Sequence, residues 1–276
     1  MSVTQAEQKD HWSSKAYSTS ASFVPTLTRT LLQYLDPQPT DRVLDIGCGD
    51  GKFTELFLPR VHKVLGVDSS PAMIEAAKKD YSSEKAEFRV LDCCVLEQDG
   101  EVADGSWDKV VSNAALHWIL RNENTRLSTL KGIHACLKKG GAFVFELGGH
   151  GNVAEIQAAM QYALLRQGVS IEKAREACPW FFPSVTWMTN TLEGIGFNVV
   201  KMETEYRPTK LTSDVNGGLA GWVRLMGAAF LDILDVEKRE NLVREVCNVL
   251  ELVVTREEDR SQWLGYVRLR GVAVKL

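Results

Sequence analysis

The residues with most chemistry to offer crowd into one stretch, Val43-Leu44-Asp45-Ile46-Gly47-Cys48-Gly49-Asp50-Gly51-Lys52-Phe53-Thr54. Its opening is apolar around a single acid, its middle alternates glycine with small or polar residues, and Phe53, Leu56 and Phe57 resume helical spacing. The stretch therefore reads as strand, tight loop and helix. Asp68 stands about 20 residues beyond the glycines, where a doubly wound fold places an acid that accepts hydrogen bonds from ribose hydroxyls. A dinucleotide loop would carry a further glycine at position 52, and this chain has Lys52 there. Asp45 before the loop and Asp50 within it would be awkward beside a pyrophosphate but suit a ligand that carries an ammonium group and a sulfonium. S-adenosyl-L-methionine fits that charge pattern better than NAD.

Groups that could handle an acceptor come later. The strand at 107–113 leads directly into His117 and Trp118, and the strand at 142–147 exits into Gly148-Gly149-His150-Gly151-Asn152. In a parallel α/β sheet the segment leaving a strand's carboxyl end faces the ligand crevice, so both histidines are candidate bases at one rim. His117 and Trp118 read equally well as packed, satisfied core residues. The cluster Cys178-Pro179-Trp180-Phe181-Phe182-Pro183 is expected to form a pocket wall or lid, with Trp222 joining Trp180 and Phe181 from a later helix. Trp12 and Tyr17 are large aromatics in a polar N-terminal segment, suited to cap packing or to a lid. Arg121, Arg166, Arg175 and Arg224 are possible substrate anchors, each equally readable as a solvated helix residue.

The elements that must position these groups follow from periodicity. Leu27, Leu31, Leu32 and Leu35 mark a helix closed by Asp36-Pro37-Gln38-Pro39. Strands are expected at 62–67 and 88–92, with a helix between them that starts at Ser69-Ser70-Pro71 and carries Met73, Ile74 and Ala77 on one face. A helix over 123–137 puts His134 on an apolar stripe, a structural position. Beyond the second glycine cluster come helices at 152–166 and 184–195, a strand at 197–204, a largely helical stretch over 214–255 and a closing strand at 263–274.

Composition sets the frame. The chain has 276 residues, 45% hydrophobic and 25% charged, with a net charge of -4. Without a basic run, a nucleic-acid backbone is not expected as partner. The six cysteines, at positions 48, 93, 94, 136, 178 and 247, form no C-x-x-C pair or secreted framework, and the first ten residues lack a signal-peptide profile. Reduced thiols in a cytoplasmic setting are expected, with no metal and no membrane anchor.

Val-Leu-Asp-Ile-Gly-Cys-Gly-Asp-Gly resembles the first motif of class I S-adenosylmethionine-dependent methyltransferases, and Gly66-Val67-Asp68 resembles the second. Glu-Leu-Gly-Gly-His-Gly-Asn, Pro-Trp-Phe-Phe-Pro-Ser, Leu-Glu-Gly-Ile-Gly-Phe, Arg207-Pro208-Thr209 and the closing Tyr266-Val-Arg-Leu-Arg-Gly-Val-Ala-Val-Lys are similar to the small-molecule group that includes trans-aconitate methyltransferase. The resemblance runs from Trp12 over nearly the whole chain. It implies a single domain over 1–276, an α/β doubly wound, mostly parallel seven-stranded sheet with its last strand antiparallel. Residues 1–35 would form an N-terminal flap and helix, 36–150 the cofactor-binding core, and 151–276 a C-terminal half with a helical cap at about 213–260. It further implies cofactor contacts from Asp45, Gly47, Cys48, Gly49, Asp68, Ser69, Met73, Asp92, Cys93 and Asn113, with Asp68 on the ribose and Asp92 with Cys93 on the adenine. The expected reaction is methylation of a small-molecule carboxylate or hydroxyl, with His117 or His150 as base where one is needed. A protein or nucleic-acid acceptor, or a fold that holds the cofactor without transferring methyl, is the alternative. The oligomeric state, monomer or homodimer, is open.

Overall fold

Runs such as Val43-Leu44-Asp45-Ile46 and Val64-Leu65-Gly66-Val67 leave almost no polar face, so the strands they form must be covered on both sides. The computed structural model, which describes residues 28–212 and 217–276, builds them that way. Its first half contains α1 (Arg29–Leu35), β1 (Arg42–Ile46), α2 (Lys52–Phe57), β2 (Lys63–Asp68), α3 (Pro71–Tyr81), β3 (Ala86–Val90), β4 (Trp107–Asn113), α4 (Leu116–Ile119), α5 (Arg126–Cys136) and β5 (Leu137–Gly148). The second half contains α6 (Ala154–Arg166), α7 (Ile171–Glu176), α8 (Val185–Ile195), β6 (Phe197–Lys210), α9 (Gly218–Met226), α10 (Ala228–Asp232), α11 (Val236–Val254) and β7 (Trp263–Lys275).

The seven strands form one sheet in the order β3-β2-β1-β4-β5-β7-β6. β1 to β5 pair in parallel, and β7 runs antiparallel between β5 and β6. This is the expected doubly wound sheet. Its order reverses beside β1, so the crevice opens at the carboxyl ends of β1 and β4. Alternating residues feed the two faces: Val43, Val64, Val111 and Val144 meet Leu31, Leu35 and Phe57 on one side, while Leu44, Ile46, Phe143 and Phe145 meet Leu130, Ile133, Met188 and Leu192 on the other. A separate apolar core joins α6, α9, α10 and α11 through Ile156, Met160, Val223, Phe230, Leu242 and Val246. The helices expected between β6 and β7 are therefore present and share one core with α6. β6 runs on to Lys210, past the expected end at 204, because it pairs with β7 as far as Lys210 opposite Trp263. His134 packs edge-on against Phe197 at 5.0 Å, a structural role as expected. No helix among the described residues is long and apolar enough to cross a membrane.

Candidate cofactor and acceptor site

Between β1 and α2 the chain turns at the crevice through Gly47, Gly49 and Gly51, whose φ angles are +70°, +55° and +82°. The N–H groups of Gly47 and Cys48 donate to the Val67 carbonyl at 2.8 and 3.1 Å, which ties the loop to the end of β2. Asp68 completes the tie: Oδ2 accepts from the Gly49 N–H at 3.0 Å and Oδ1 from the Ser70 N–H at 2.9 Å. One acid thus braces both the glycine loop and the start of α3, where Ser70 caps the helix and Pro71 occupies its first turn. Ser69 is exposed and Met73 buried on that helix.

Asp45 is the unusual group. It is 1% exposed, its Oδ2 accepts a 2.6 Å hydrogen bond from the Thr54 hydroxyl, and its Oδ1 has no partner among the described residues. Burial, opposed by the Thr54 bond and reinforced by the Asp68 charge, pushes its pKa up to about 7. Asp50, expected to add charge for the ligand, instead forms a 2.6 Å ion pair with Lys52, so the loop's uncompensated acid is Asp45. The Cys48 side chain packs in a small core with Ile74, Ala77 and Phe88, and the buried Cys93 thiol lies at the start of the turn Cys93–Gln98. Burial holds both thiols protonated, far from the range of a nucleophile. Asp92 is exposed and caps that turn, its Oδ1 accepting from the Cys94 N–H at 2.9 Å. Asn113 ends β4 half-buried, in register with Glu146.

The candidate acceptor side is built by α4 packing onto the glycine loop. A Cβ added at Gly47 would lie 2.1 Å from the Ala115 Cβ, so the residue preceding α4 sits hard against the loop backbone. His117 follows and is buried; its Nδ1 accepts from the Gly148 N–H at 3.3 Å. That bond puts the ring's proton on Nε2 in the neutral form, and burial, with the nearby Arg268 charge, holds the pKa well below the usual histidine range. His117 is thus a neutral donor. His150 is exposed, its backbone N–H bound to the Pro183 carbonyl, and among the described residues no hydrogen bond or ring contact joins the two histidines.

The aromatic cluster divides by alternation. Trp180 stacks on Phe182 at 5.8 Å and meets Trp118 at 5.6 Å and Trp222 at 5.9 Å, and Phe182 lies 5.7 Å from the His117 ring. Trp180 and Trp222 are buried, so they form the packed floor of the cap, and Trp118 and Phe182 are its half-exposed members. Phe181 turns the other way, against Trp187 at 4.8 Å and beneath the Arg126 guanidinium at 3.6 Å, outside the cluster it was expected to join. Trp12 and Tyr17 lie outside the described residues.

A group that sequence reasoning missed adjoins this wall. Glu146, buried in β5, receives Arg207 at 2.6 Å, Arg268 at 3.2 Å and Arg270 at 3.0 Å. The arginines considered from sequence, Arg121, Arg166, Arg175 and Arg224, are all exposed, and Arg224 clamps Glu240 through two hydrogen bonds of 2.8 and 2.7 Å.

The cradle fits the expected cofactor. Among the described residues the buried Asp45 oxygen is unpartnered, which suits an ammonium group, and a Cβ built at Gly49 would meet no atom within 4 Å, leaving open space above the loop.

Residues 44–145 match a family described as methyltransferase domain. The chain is 37% identical over 267 residues to an uncharacterized methyltransferase of Schizosaccharomyces pombe, an alignment that covers 97% of this chain and 99% of that protein. It is 28% identical over 207 residues to a malonyl-[acyl-carrier protein] O-methyltransferase of Acetivibrio thermocellus, covering 69% of this chain and 67% of the relative. Among solved structures, a candidate methyltransferase from Bacillus halodurans shares the fold, with a TM-score of 0.62 at 18% identity over 91% of this chain and 99% of that one.

Proposed function

Because the chain belongs to the class I S-adenosylmethionine-dependent methyltransferases, we propose that it methylates an oxygen of a small-molecule metabolite, a carboxylate in preference to a hydroxyl, as a member of the group that includes trans-aconitate methyltransferase. When bound, S-adenosylmethionine supplies a methyl group activated by its sulfonium for in-line displacement by an oxygen lone pair, which yields an ester and S-adenosylhomocysteine. The protein's part is to bind, align and exclude water. Asp45 receives the ammonium group, Gly47 and Gly49 admit the ligand to the backbone, and Asp68 faces the ribose while it holds the loop.

The observation that carries the carboxylate reading is the state of His117. Its Nδ1 lone pair is used by the Gly148 N–H and its pKa is depressed, so it offers a proton on Nε2 and does not take one. An acceptor hydroxyl would have to surrender its proton to a base; a carboxylate is ionised already. Oxygen methylation also accords with the name of the malonyl-[acyl-carrier protein] relative.

Calorimetric titration with S-adenosylmethionine and with NAD, followed by transfer of labelled methyl to a panel of carboxylic acids, alcohols and amines, tests the reading. The expected result is S-adenosylmethionine binding and a base-labile methyl ester. At saturating cofactor its rate is flat from about pH 6 to 9, with no inflection from a titrating base. NAD binding without response to S-adenosylmethionine, or label found in an amine or in RNA, would overturn it. Asp68→Asn adds a second check. The amide has one acceptor oxygen for two backbone donors, so affinity for S-adenosylhomocysteine is expected to fall at least about tenfold while the fold persists.

A further inference from the structure

We propose that Arg268 is the anchor for the acceptor's carboxylate, a role that rests on the methyltransferase reading above and names the group by which the substrate is held. Tyr266, Arg268 and Arg270 alternate along β7 and share one sheet face. Every nitrogen of Arg270 has a carboxylate partner: Nε donates to Glu203 at 3.3 Å, Nη1 to Glu146 at 3.0 Å and Nη2 to Glu205. Arg268 differs. It is 5% exposed, yet the one hydrogen bond it makes among the described residues runs from Nε to Glu146 Oε1 at 3.2 Å, an oxygen that also takes Arg207 Nη2 at 2.6 Å. Among the described residues neither Nη of Arg268 has a hydrogen-bond partner.

Balancing Glu146 does not explain this guanidinium, because Arg207 and Arg270 already face that carboxylate at 2.6 and 3.0 Å. Both Nη groups lack a protein partner among the described residues yet keep access to solvent, so they are free to receive a ligand, and a planar, bidentate anion is the partner such a fork matches. Its position says which anion. Arg268 is in register with Gly148, whose N–H holds His117, so it stands at the crevice end of the sheet. Its charge reaches His117, and its guanidinium lies 5.6 Å from the Tyr266 ring. The Tyr266 hydroxyl accepts from Trp222 Nε1 at 2.7 Å, which fixes the aromatic wall beside it. The site thus offers a cationic fork and the His117 Nε2–H beside aromatic surface, a receptor for a carboxylate attached to an apolar or aromatic body.

The test uses the full chain saturated with S-adenosylhomocysteine, titrated with 3-phenylpropanoate and with its neutral analogue 3-phenylpropanamide. The carboxylate is expected to bind at least about tenfold more tightly than the amide. Arg268→Gln should erase that preference and Arg268→Lys should keep part of it, with S-adenosylhomocysteine affinity unchanged in both. Glu146 keeps two arginines in either variant, so the fold should survive; should the glutamine variant fail to fold, the lysine variant decides, since it retains charge and loses the fork. A full carboxylate preference in the variants overturns the proposal, and so does a wild-type protein that binds neither probe or both alike. Failure of the wild type to bind S-adenosylhomocysteine is a different result, and it strikes the methyltransferase reading alone.

Discussion

Gly47→Ala is expected to abolish measurable binding of S-adenosylhomocysteine and to lower the melting temperature markedly, whereas Gly49→Ala should abolish binding and leave the fold nearly intact. At Gly47 the new methyl would sit 2.1 Å from the Ala115 Cβ, and φ is +70°. The positive φ costs about 1–2 kcal/mol for an L-residue, and overpacking adds roughly 1–3 kcal/mol. For a chain of this size that sum amounts to a fall on the order of 10 °C. Relief requires α4 to move off the loop, and His117 moves with it, so the cofactor and acceptor sides fail together. At Gly49 φ is +55° but no atom of the described residues lies within 4 Å of a built Cβ. Only the backbone cost of about 1–2 kcal/mol applies there, and the methyl occupies space that the ligand needs. Thermal melts and calorimetry on both variants separate the two effects. Equal melting temperatures for the two would refute the assignment of Gly47 to helix packing and Gly49 to the ligand.

The glycine loop and Asp68 were legible in the sequence because a strand-loop-helix-strand unit keeps its chemistry within about 25 residues of chain, and local spacing then fixes geometry. Charge was harder to read: Asp50 is offset by Lys52 two residues away, and only folded side chains reveal that pair. The acceptor side was mostly illegible because register assembles it. Glu146, Arg268, Arg270 and Glu203 meet only when β5, β7 and β6 align. Their traces were nonetheless present as an acid inside Phe143-Val144-Phe145-Glu146-Leu147 and two arginines two residues apart in an otherwise apolar strand, which period-two alternation puts on one buried face. The same alternation sends Trp180 and Phe182 to the cap and Phe181 to the core beside Trp187. Composition alone marks such a segment as aromatic without saying which rings face a ligand.

Asp45→Asn is expected to stabilise the ligand-free protein at pH 8 while weakening its hold on the cofactor, opposite effects from one substitution. The folded protein binds the Asp45 proton more tightly than the unfolded chain does, about 7 against 3.8. The stability this group contributes is therefore complete below about pH 4, declines as pH rises, and is fully lost above about pH 7, a total of roughly 4 kcal/mol. Asparagine carries no such penalty, and its side-chain oxygen can still accept from the Thr54 hydroxyl, so the variant should gain up to about 4 kcal/mol over wild type at pH 8 and only about 1.5 kcal/mol at pH 5. Binding runs the other way. The unpartnered Oδ1 is the feature that receives an ammonium group, and loss of a charge-assisted hydrogen bond costs about 2 kcal/mol, or roughly thirtyfold in affinity. Wild-type affinity for S-adenosylhomocysteine should accordingly rise as pH increases through about 7, where Asp45 ionises, and the asparagine variant should lose that dependence. Denaturant melts at pH 5 and pH 8, paired with calorimetry at the same two values, read both halves. A variant less stable than wild type at pH 8, with unchanged affinity, would mean that the buried carboxylate serves the fold and not the ligand.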